Sequence, residues 1–503
     1  MNLQYELKKH FGYDSFRNSQ ETIIRSLLQK EDVLAIMATG SGKSVCYQLP
    51  AYLQPGLTVV VSPLLSLMEN QMQEMQQKRM KKVDMYNSFL SFSEKENVLR
   101  NLSALKLLFI SPESLQLDKV KRALGSVTVS LLAVDEAHCI SQWGHEFRTD
   151  YLKIKEIRKE IGSPTVLAVT ATAAPSVQED IVNQLEMKNP LIVKESTNRP
   201  SISIHVKKTN SDEEKNNELL RTINHSPDPG MVYFSSRAAA EQMSAFLEIN
   251  TNKRVSAYHG GMLQEDRILV QQQFLQDELD VVCCTNAFGM GINKPDVRYV
   301  IHYHYPKDLE SYVQEIGRAG RDGKRSSALL LYKEDDIYLP RFFIEMEFPA
   351  EEEIDWLVSH ITEVPEISEN RLEESAVNRG WEENHIRFFL HYYREWKKNP
   401  GGQLADKIKE VKQRRTIWKQ QKLHSMEEWL LETACRREAL LHYFGETLQE
   451  KPEHCCDLCQ AHWVAPDTVQ KREKRKVFEL SWKQRLEDLL LTTESGSAKG
   501  EKG

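Results

Sequence analysis

Two short segments carry residue types suited to holding and cleaving a polyphosphate. Met37–Ser44 reads MATGSGKS and follows an apolar run, Val33–Ile36. Around Thr39, Gly40, Ser41 and Gly42 the backbone can curl so that its N–H groups face a phosphate. Lys43 can reach β- and γ-phosphates, and the Ser44 hydroxyl can bind Mg²⁺. The general phosphate-loop pattern opens with Gly where this chain has Met37, so a glycine-rich turn that binds nothing is the alternative. The second segment is Leu131–Tyr151, LLAVDEAHCISQWGHEFRTDY. Its apolar start reads as a buried strand that delivers Asp135 and Glu136 at its C-terminal end, where open α/β sheets bind ligands. Asp135 can hold Mg²⁺ through water, and Glu136 can orient an attacking water.

Other residues extend this chemistry. Gln20 has the donor and acceptors to read an adenine edge, and Tyr13 or Arg17 can stack on or flank the base. Gln314–Gly323, QEIGRAGRDG, places Arg318 and Arg321 three apart in a glycine-flanked segment, so both can project toward one anion. Trp143, Phe147 and Arg148 follow the acids closely. Aromatics interleaved with a cation suit the stacking of unpaired bases, although both rings are also compatible with a core. Cys435, Cys455, Cys456 and Cys459 form a late cluster in which Cys456 and Cys459 have the CxxC spacing of tetrahedral thiolate coordination. Three thiolates completed by His454, or a redox pair, are the alternatives.

Parallel sheets with helical crossovers are expected to position these groups. Strand candidates Val33–Ile36, Val59–Val61, Leu107–Ile110, Leu131–Val134 and Val166–Thr170 alternate with amphipathic stretches. So does a second set, Met231–Phe234, Val255–Tyr258, Val281–Cys284, Tyr299–His302 and Ala328–Leu331. Two α/β domains follow, separated approximately by the polar stretch Lys207–Asn217. Helical patterns dominate from about residue 341. Ile367–Trp396 has a helix–turn–helix flavour that two packing helices explain equally well. The last residues, from Glu494, lack apolar content and read as disordered, and the basic run Lys471–Lys476 reads as a solvated helix.

The bulk numbers limit the choices. With 503 residues, two to four domains are expected. The composition is 40% hydrophobic and 28% charged, with no apolar run of membrane length and no signal-peptide core at the N-terminus. Eight cysteines, four of them beside apolar runs, fit a reducing cytoplasm with one metal site better than a disulfide framework. The net charge of −7 excludes a uniformly basic surface but not a local basic track, for which Lys412–Lys422, with five basic residues and no acid, is a candidate.

These segments, taken together, resemble RecQ-family superfamily 2 DNA helicases. Phe11–Gln20 resembles their motif 0, MATGSGKS the shortened phosphate loop, and Asp135–Arg148 motif II with its aromatic-rich loop. Ser62–Gln71 resembles motif Ia, with Asn70 where the family commonly has Asp. Ser111–Leu115 resembles Ib, Val169–Ala173 III, Tyr233–Arg237 IV, Ala257–Met262 and Thr285–Ile292 V and its approach, and Gln314–Gly323 VI. The match is collinear over about residues 5–335.

The resemblance implies two tandem RecA-like domains, 1–203 and 204–341, then a helical zinc-binding subdomain, 342–463, and a basic segment, 464–503. It implies ATP, Mg²⁺ and a four-cysteine Zn²⁺ site as cofactors, Arg321 as an arginine finger supported by Arg318 and Gln314, and Ser62, Arg237 and His259 beside the aromatic loop as strand contacts. It also implies 3′-to-5′ travel on single-stranded DNA, unwinding of tailed or forked duplexes in repair and recombination, and a monomer acting in the cytoplasm, at the nucleoid if the source is bacterial. Single-strand-binding or recombination proteins would be partners. The length points to a short member of the RecS type. A translocase that separates few strands, and a non-catalytic scaffold, are the competing functions.

Overall fold

The computed structural model describes residues 2–463, apart from 39, 64, 78–79, 81, 142–148, 228, 289–293, 364–366 and 399–402. The first sheet contains β1 Val33–Ile36, β2 Leu57–Val61, β3 Val83–Tyr86, β4 Leu107–Ile110, β5 Val129–Val134, β6 Thr165–Thr170 and β7 Leu191–Lys194. Its order is β3-β4-β2-β5-β6-β1-β7. The second contains β8 Ile202–Lys208, β9 Gly230–Tyr233, β10 Val255–Tyr258, β11 Val281–Cys284, β12 Tyr299–His302 and β13 Ser326–Tyr332, in the order β10-β11-β9-β12-β13-β8. Every strand pair in both is parallel. Parallel strands covered on both faces must be apolar throughout, which is why β1, β2, β4 and β11 are continuous apolar runs, save for one threonine in β2, with every residue buried.

Register fixes where the site forms. Ile36 of β1 lies beside Thr170 of β6, and Val61 of β2 beside Val134 of β5, so the loops leaving these strands emerge at one sheet edge. Asp32 pins the other end. Its carboxylate takes two hydrogen bonds from Arg158 (3.0 and 2.9 Å) and one from the Val166 N–H (2.8 Å), tying the start of β1 to β6.

The chain passes from one sheet to the other through residues 195–201. The expected boundary at 203/204 falls inside β8, and the polar stretch Lys207–Asn217 is the end of β8 and the start of a helix. The helical region divides between two cores. Helices Glu351–Glu363, Glu369–Asn378 and Glu383–Lys398 bury Ile354, Leu372, Phe389 and Tyr393 against Leu404 and Ile408. The apolar faces of the pair read as helix–turn–helix therefore serve packing. The later part of the helix Leu404–Leu430 instead joins the core of the second lobe through Leu423, Met426, Trp429 and Leu430.

The run Lys412–Lys422 lies on that same helix. Lys412 donates to the Pro349 carbonyl (2.8 Å), Lys419 pairs with Glu347, and Lys422 pairs with Glu310 (2.5 Å). Its basic groups are largely spent on internal partners rather than laid out as a track. No helix among the described residues is long and apolar enough to cross a membrane.

Candidate nucleotide site and metal centre

The phosphate loop joins β1 to the helix Val45–Leu53, with Ser44 as its N-cap residue. Gly40 and Gly42 adopt φ of +85° and +84°, values that L side chains rarely take. Gln20 braces the loop from below. Its amide nitrogen donates to the Ser41 and Gly42 carbonyls (3.2 and 3.0 Å), and its oxygen accepts from the Arg17 N–H (3.0 Å). A Cβ on Gly42 would stand 2.6 Å from that nitrogen. Gln20 is buried, so its amide supports the loop while Tyr13, 44% exposed, offers a ring at the cleft mouth.

Asp135 and Glu136 leave β5 as expected. Asp135 is buried, and its N–H donates to the Val61 carbonyl (2.9 Å). Burial and the adjacent Glu136 push its carboxyl up to about 7, opposed by the Lys43 charge. Glu136 sits at φ 47°, a left-handed conformation costing a non-glycine residue on the order of 1 kcal/mol. The turn is held from both sides. Tyr151 donates to the Asp135 carbonyl (3.2 Å), and His138 Nδ1 lies 2.9 Å from Thr170 Oγ1 and 3.4 Å from Glu136 Oε2. The Thr170 hydroxyl donates to the Thr172 carbonyl (3.1 Å), so it must accept from His138, which assigns the proton to Nδ1. This links the acid pair to the loop after β6.

The second lobe completes the cleft. Asp308 caps the helix Leu309–Ile316 by accepting from the Ser311 N–H (2.7 Å), and that helix carries Gln314 and leads into Arg318 and Arg321. A Cβ on Gly40 would lie 3.1 Å from Arg321 Cγ and 3.2 Å from Cδ, so the arginine stem crosses the phosphate loop. Lys43, Ser44, Asp135, Glu136, Gln314, Arg318 and Arg321 line one cleft of about 740 Å³, as do Tyr13, Arg17, Gln20, Gly40 and Gly42. Burial, then the Arg318 and Arg199 charges, push Arg321 down to about 9, still protonated at neutral pH. A helix N-terminus and crowded cations facing two carboxylates fit a triphosphate with its divalent metal, Ser44 and Asp135 being the metal-side residues.

Sequence reasoning missed Gln71 and Glu74, which line the cleft from the helix Leu65–Gln77. Gln71 accepts from Gln48 (2.9 Å). It also missed Arg199, which donates to the backbone carbonyls of Gly317, Ala319 and Gly320. Of the expected strand contacts, Ser62 is buried at the end of β2. Arg237 opens the helix Arg237–Asn250 and packs at Gly261, and His259 is buried with Nε2 2.7 Å from Glu241 of that helix. Thr39, Trp143, Phe147 and Arg148 lie outside the described residues.

The four late cysteines converge. Their Sγ atoms all lie within 4.8 Å of one another, with Cys435 and Cys455 at 3.5 Å and Cys456 and Cys459 at 3.4 Å. A tetrahedron with Zn–S of about 2.3 Å has edges of about 3.8 Å, so the set matches Zn²⁺. His454 does not join the cluster among the described residues. The module is built onto the second lobe: Cys456 bridges Ile204 of β8, and the Ile204 N–H donates to the Cys455 carbonyl (3.2 Å).

Family models agree with this geometry. Residues 17–181 match the DEAD/DEAH box helicase model, 214–323 the helicase conserved C-terminal domain, and 401–460 the RecQ zinc-binding model. The chain is 40% identical to the probable ATP-dependent DNA helicase RecS of Bacillus subtilis, over 96% of this chain and 97% of the relative. It is also 40% identical to the RecQ helicase of the same organism, over 67% of this chain and 57% of that one. In fold, it is similar to the Mycobacterium smegmatis helicase Lhr bound to ssDNA and AMP-PNP (TM-score 0.56, 21% identity, 69% of this chain and 49% of that one). It is likewise similar to the DEAD-box helicase Mss116 bound to ssRNA and UDP-BeF (TM-score 0.57, 16% identity, 90% and 91%). Its two parallel-sheet lobes, the cleft between them and the four-thiolate centre therefore have one common explanation: the chain belongs to the RecQ family of superfamily 2 helicases.

Proposed function

We propose that this chain is an ATP-driven DNA helicase that advances 3′-to-5′ along single-stranded DNA and separates tailed or forked duplexes in repair and recombination. The observation that carries the reading is the passage of Arg321 from the second lobe across Gly40 of the first. A triphosphate site assembled from both lobes makes hydrolysis conditional on their approach, and release of that approach can move a bound strand.

Lys43 and the start of the helix Val45–Leu53 bind the phosphates, and Tyr13 flanks the base while Gln20 and Arg17 shape the loop beneath it. Ser44 and Asp135 would hold Mg²⁺, which would supply neutralisation of phosphate charge. Glu136, oriented through His138 and Thr170, positions the attacking water. Arg321, supported by Arg318 and Gln314, meets the charge that develops on the transferred phosphoryl group. DNA contacts are assigned to Ser62, Arg237 and His259, and to the aromatic segment with Trp143, Phe147 and Arg148, by hydroxyl, backbone and stacking interactions that do not read sequence. The protein works as a monomer, in the cytoplasm on chromosomal DNA, alongside single-strand-binding or recombination proteins.

The test is ATP turnover together with displacement of a labelled strand from a 3′-tailed duplex, with Lys43→Ala as control. Both activities are expected in the wild type and neither in the variant. Turnover without displacement would indicate a translocase, and no turnover with any DNA would indicate a scaffold.

A further inference from the structure

The loop that presents Arg321 is held by a residue outside either sheet. Arg199, in the connection between the lobes, donates from Nη1 to the Gly317 carbonyl (2.9 Å) and from Nη2 to the Ala319 and Gly320 carbonyls (3.1 and 2.9 Å). These carbonyls follow the end of the helix Leu309–Ile316. Helix C-terminal carbonyls lack intrahelical partners, and a cation there also meets the negative end of the helix dipole. Three acceptors on one planar fork leave the segment before Arg321 little freedom.

The connection is in turn fastened to the zinc module. Arg437, buried and two residues beyond Cys435, donates to Asn198 Oδ1 (2.7 Å), to the Arg199 carbonyl (3.1 Å), to the Ile202 carbonyl and to the Cys455 carbonyl (3.1 Å). Glu446, from the same module, accepts from the Thr197 N–H (3.0 Å) and hydroxyl (2.8 Å). An unbroken path therefore runs from a cysteine of the metal centre through Arg437 and Arg199 to the arginine over the phosphate loop.

We propose that Arg199 is a positioning residue for Arg321, and that Arg437 anchors it to the zinc module, so that the module sets the geometry of hydrolysis. This rests on the reading of Arg321 as the arginine finger. In this role Arg199 acts through Arg321.

A double-mutant cycle in the full chain tests it. Arg199→Ala is expected to lower DNA-stimulated kcat by on the order of 10²-fold, the cost of misplacing a catalytic group by about 1 Å, with the KM for ATP changed by no more than about threefold. Combined with Arg321→Ala, it should add nothing, because it acts through that side chain. Arg199→Lys keeps a cation without the fork and should fall between wild type and Arg199→Ala. Arg437→Lys, with one zinc per chain by elemental analysis, should show the same kcat-selective loss. Wild-type kcat in Arg199→Ala, or a full additional loss in the double variant, would overturn the proposal, and wild-type turnover in Arg437→Lys would overturn its anchoring step. If Arg199→Ala lacks a cooperative melt, the cycle is run with Arg199→Lys and read by the same criteria. A wild-type rate in Arg321→Ala alone would instead refute the finger reading.

Discussion

Arg321 of the second lobe crosses Gly40 of the first so closely that a single added carbon on the glycine would stand 3.1 Å from the arginine Cγ. Gly40 also has φ +85°. Gly40→Ala therefore meets two obstacles: left-handed strain of roughly 1–2 kcal/mol, and displacement of the arginine. DNA-stimulated ATP turnover is expected to fall by on the order of 10²-fold. Steady-state kinetics with saturating single-stranded DNA would check this, and a variant with wild-type kcat would show that the contact has no part in catalysis.

Gln20 spends its amide on the phosphate loop and on Arg17. Gln20→Ala removes the donor to the half-buried Ser41 carbonyl and the acceptor of the Arg17 N–H, each loss costing about 1–3 kcal/mol, so the KM for ATP should rise roughly tenfold or more. Gln20→Glu should be worse, because a carboxylate oxygen would face the Gly42 carbonyl. Nucleotide titration of both variants decides the matter; equal affinities would place the side chain outside the binding energetics.

The metal centre bears on the second lobe as well as on its own module, because Cys455 and Cys456 pair with Ile204 at the edge of the sheet. Cys459→Ser should lose zinc and lower the melting temperature of the chain by on the order of 10 °C. Elemental analysis and calorimetry on the same sample would show it. Retained stability without zinc would make the cluster dispensable to the fold.

Acid sensitivity should trace partly to His304. Its Nδ1 accepts from the Ser235 N–H (3.2 Å), which requires a neutral ring nitrogen, and burial, then the Lys215 charge, push its pKa down to about 4 from 6.5. The unfolded chain therefore binds more protons than the folded one between these values. Stability present above pH 6.5 is lost as pH falls toward 4. His304→Asn should flatten the fall in melting temperature between pH 7 and pH 5, and an unchanged slope would assign the sensitivity elsewhere.

The parts of the site that a sequence reveals are those whose chemistry is local. MATGSGKS, Asp135–Glu136 and Cys456–Cys459 each carry their function within a few residues, and the buried strands β1, β4 and β11 announce themselves as apolar runs. Three strands were not legible. β3 has buried residues only at its two ends, β7 is half exposed at a sheet edge, and β8 is buried only in its first half before turning polar at Lys207. The polar stretch Lys207–Asn217, expected to separate the domains approximately, begins inside that strand. The basic run at 412–422 misled because charge in a sequence does not show its partners; Glu347 and Glu310 are distant along the chain. Arg199 was invisible for a related reason, since carbonyls have no sequence signature.

The most direct test of a site shared between the lobes is to separate binding from hydrolysis in Arg321→Ala. A non-hydrolysable ATP analogue should bind within about threefold of the wild-type Kd, while single-turnover hydrolysis on 3′-tailed DNA slows by roughly 10³-fold or more and strand displacement is abolished. Hydrolysis at the wild-type rate would contradict the two-lobed site outright.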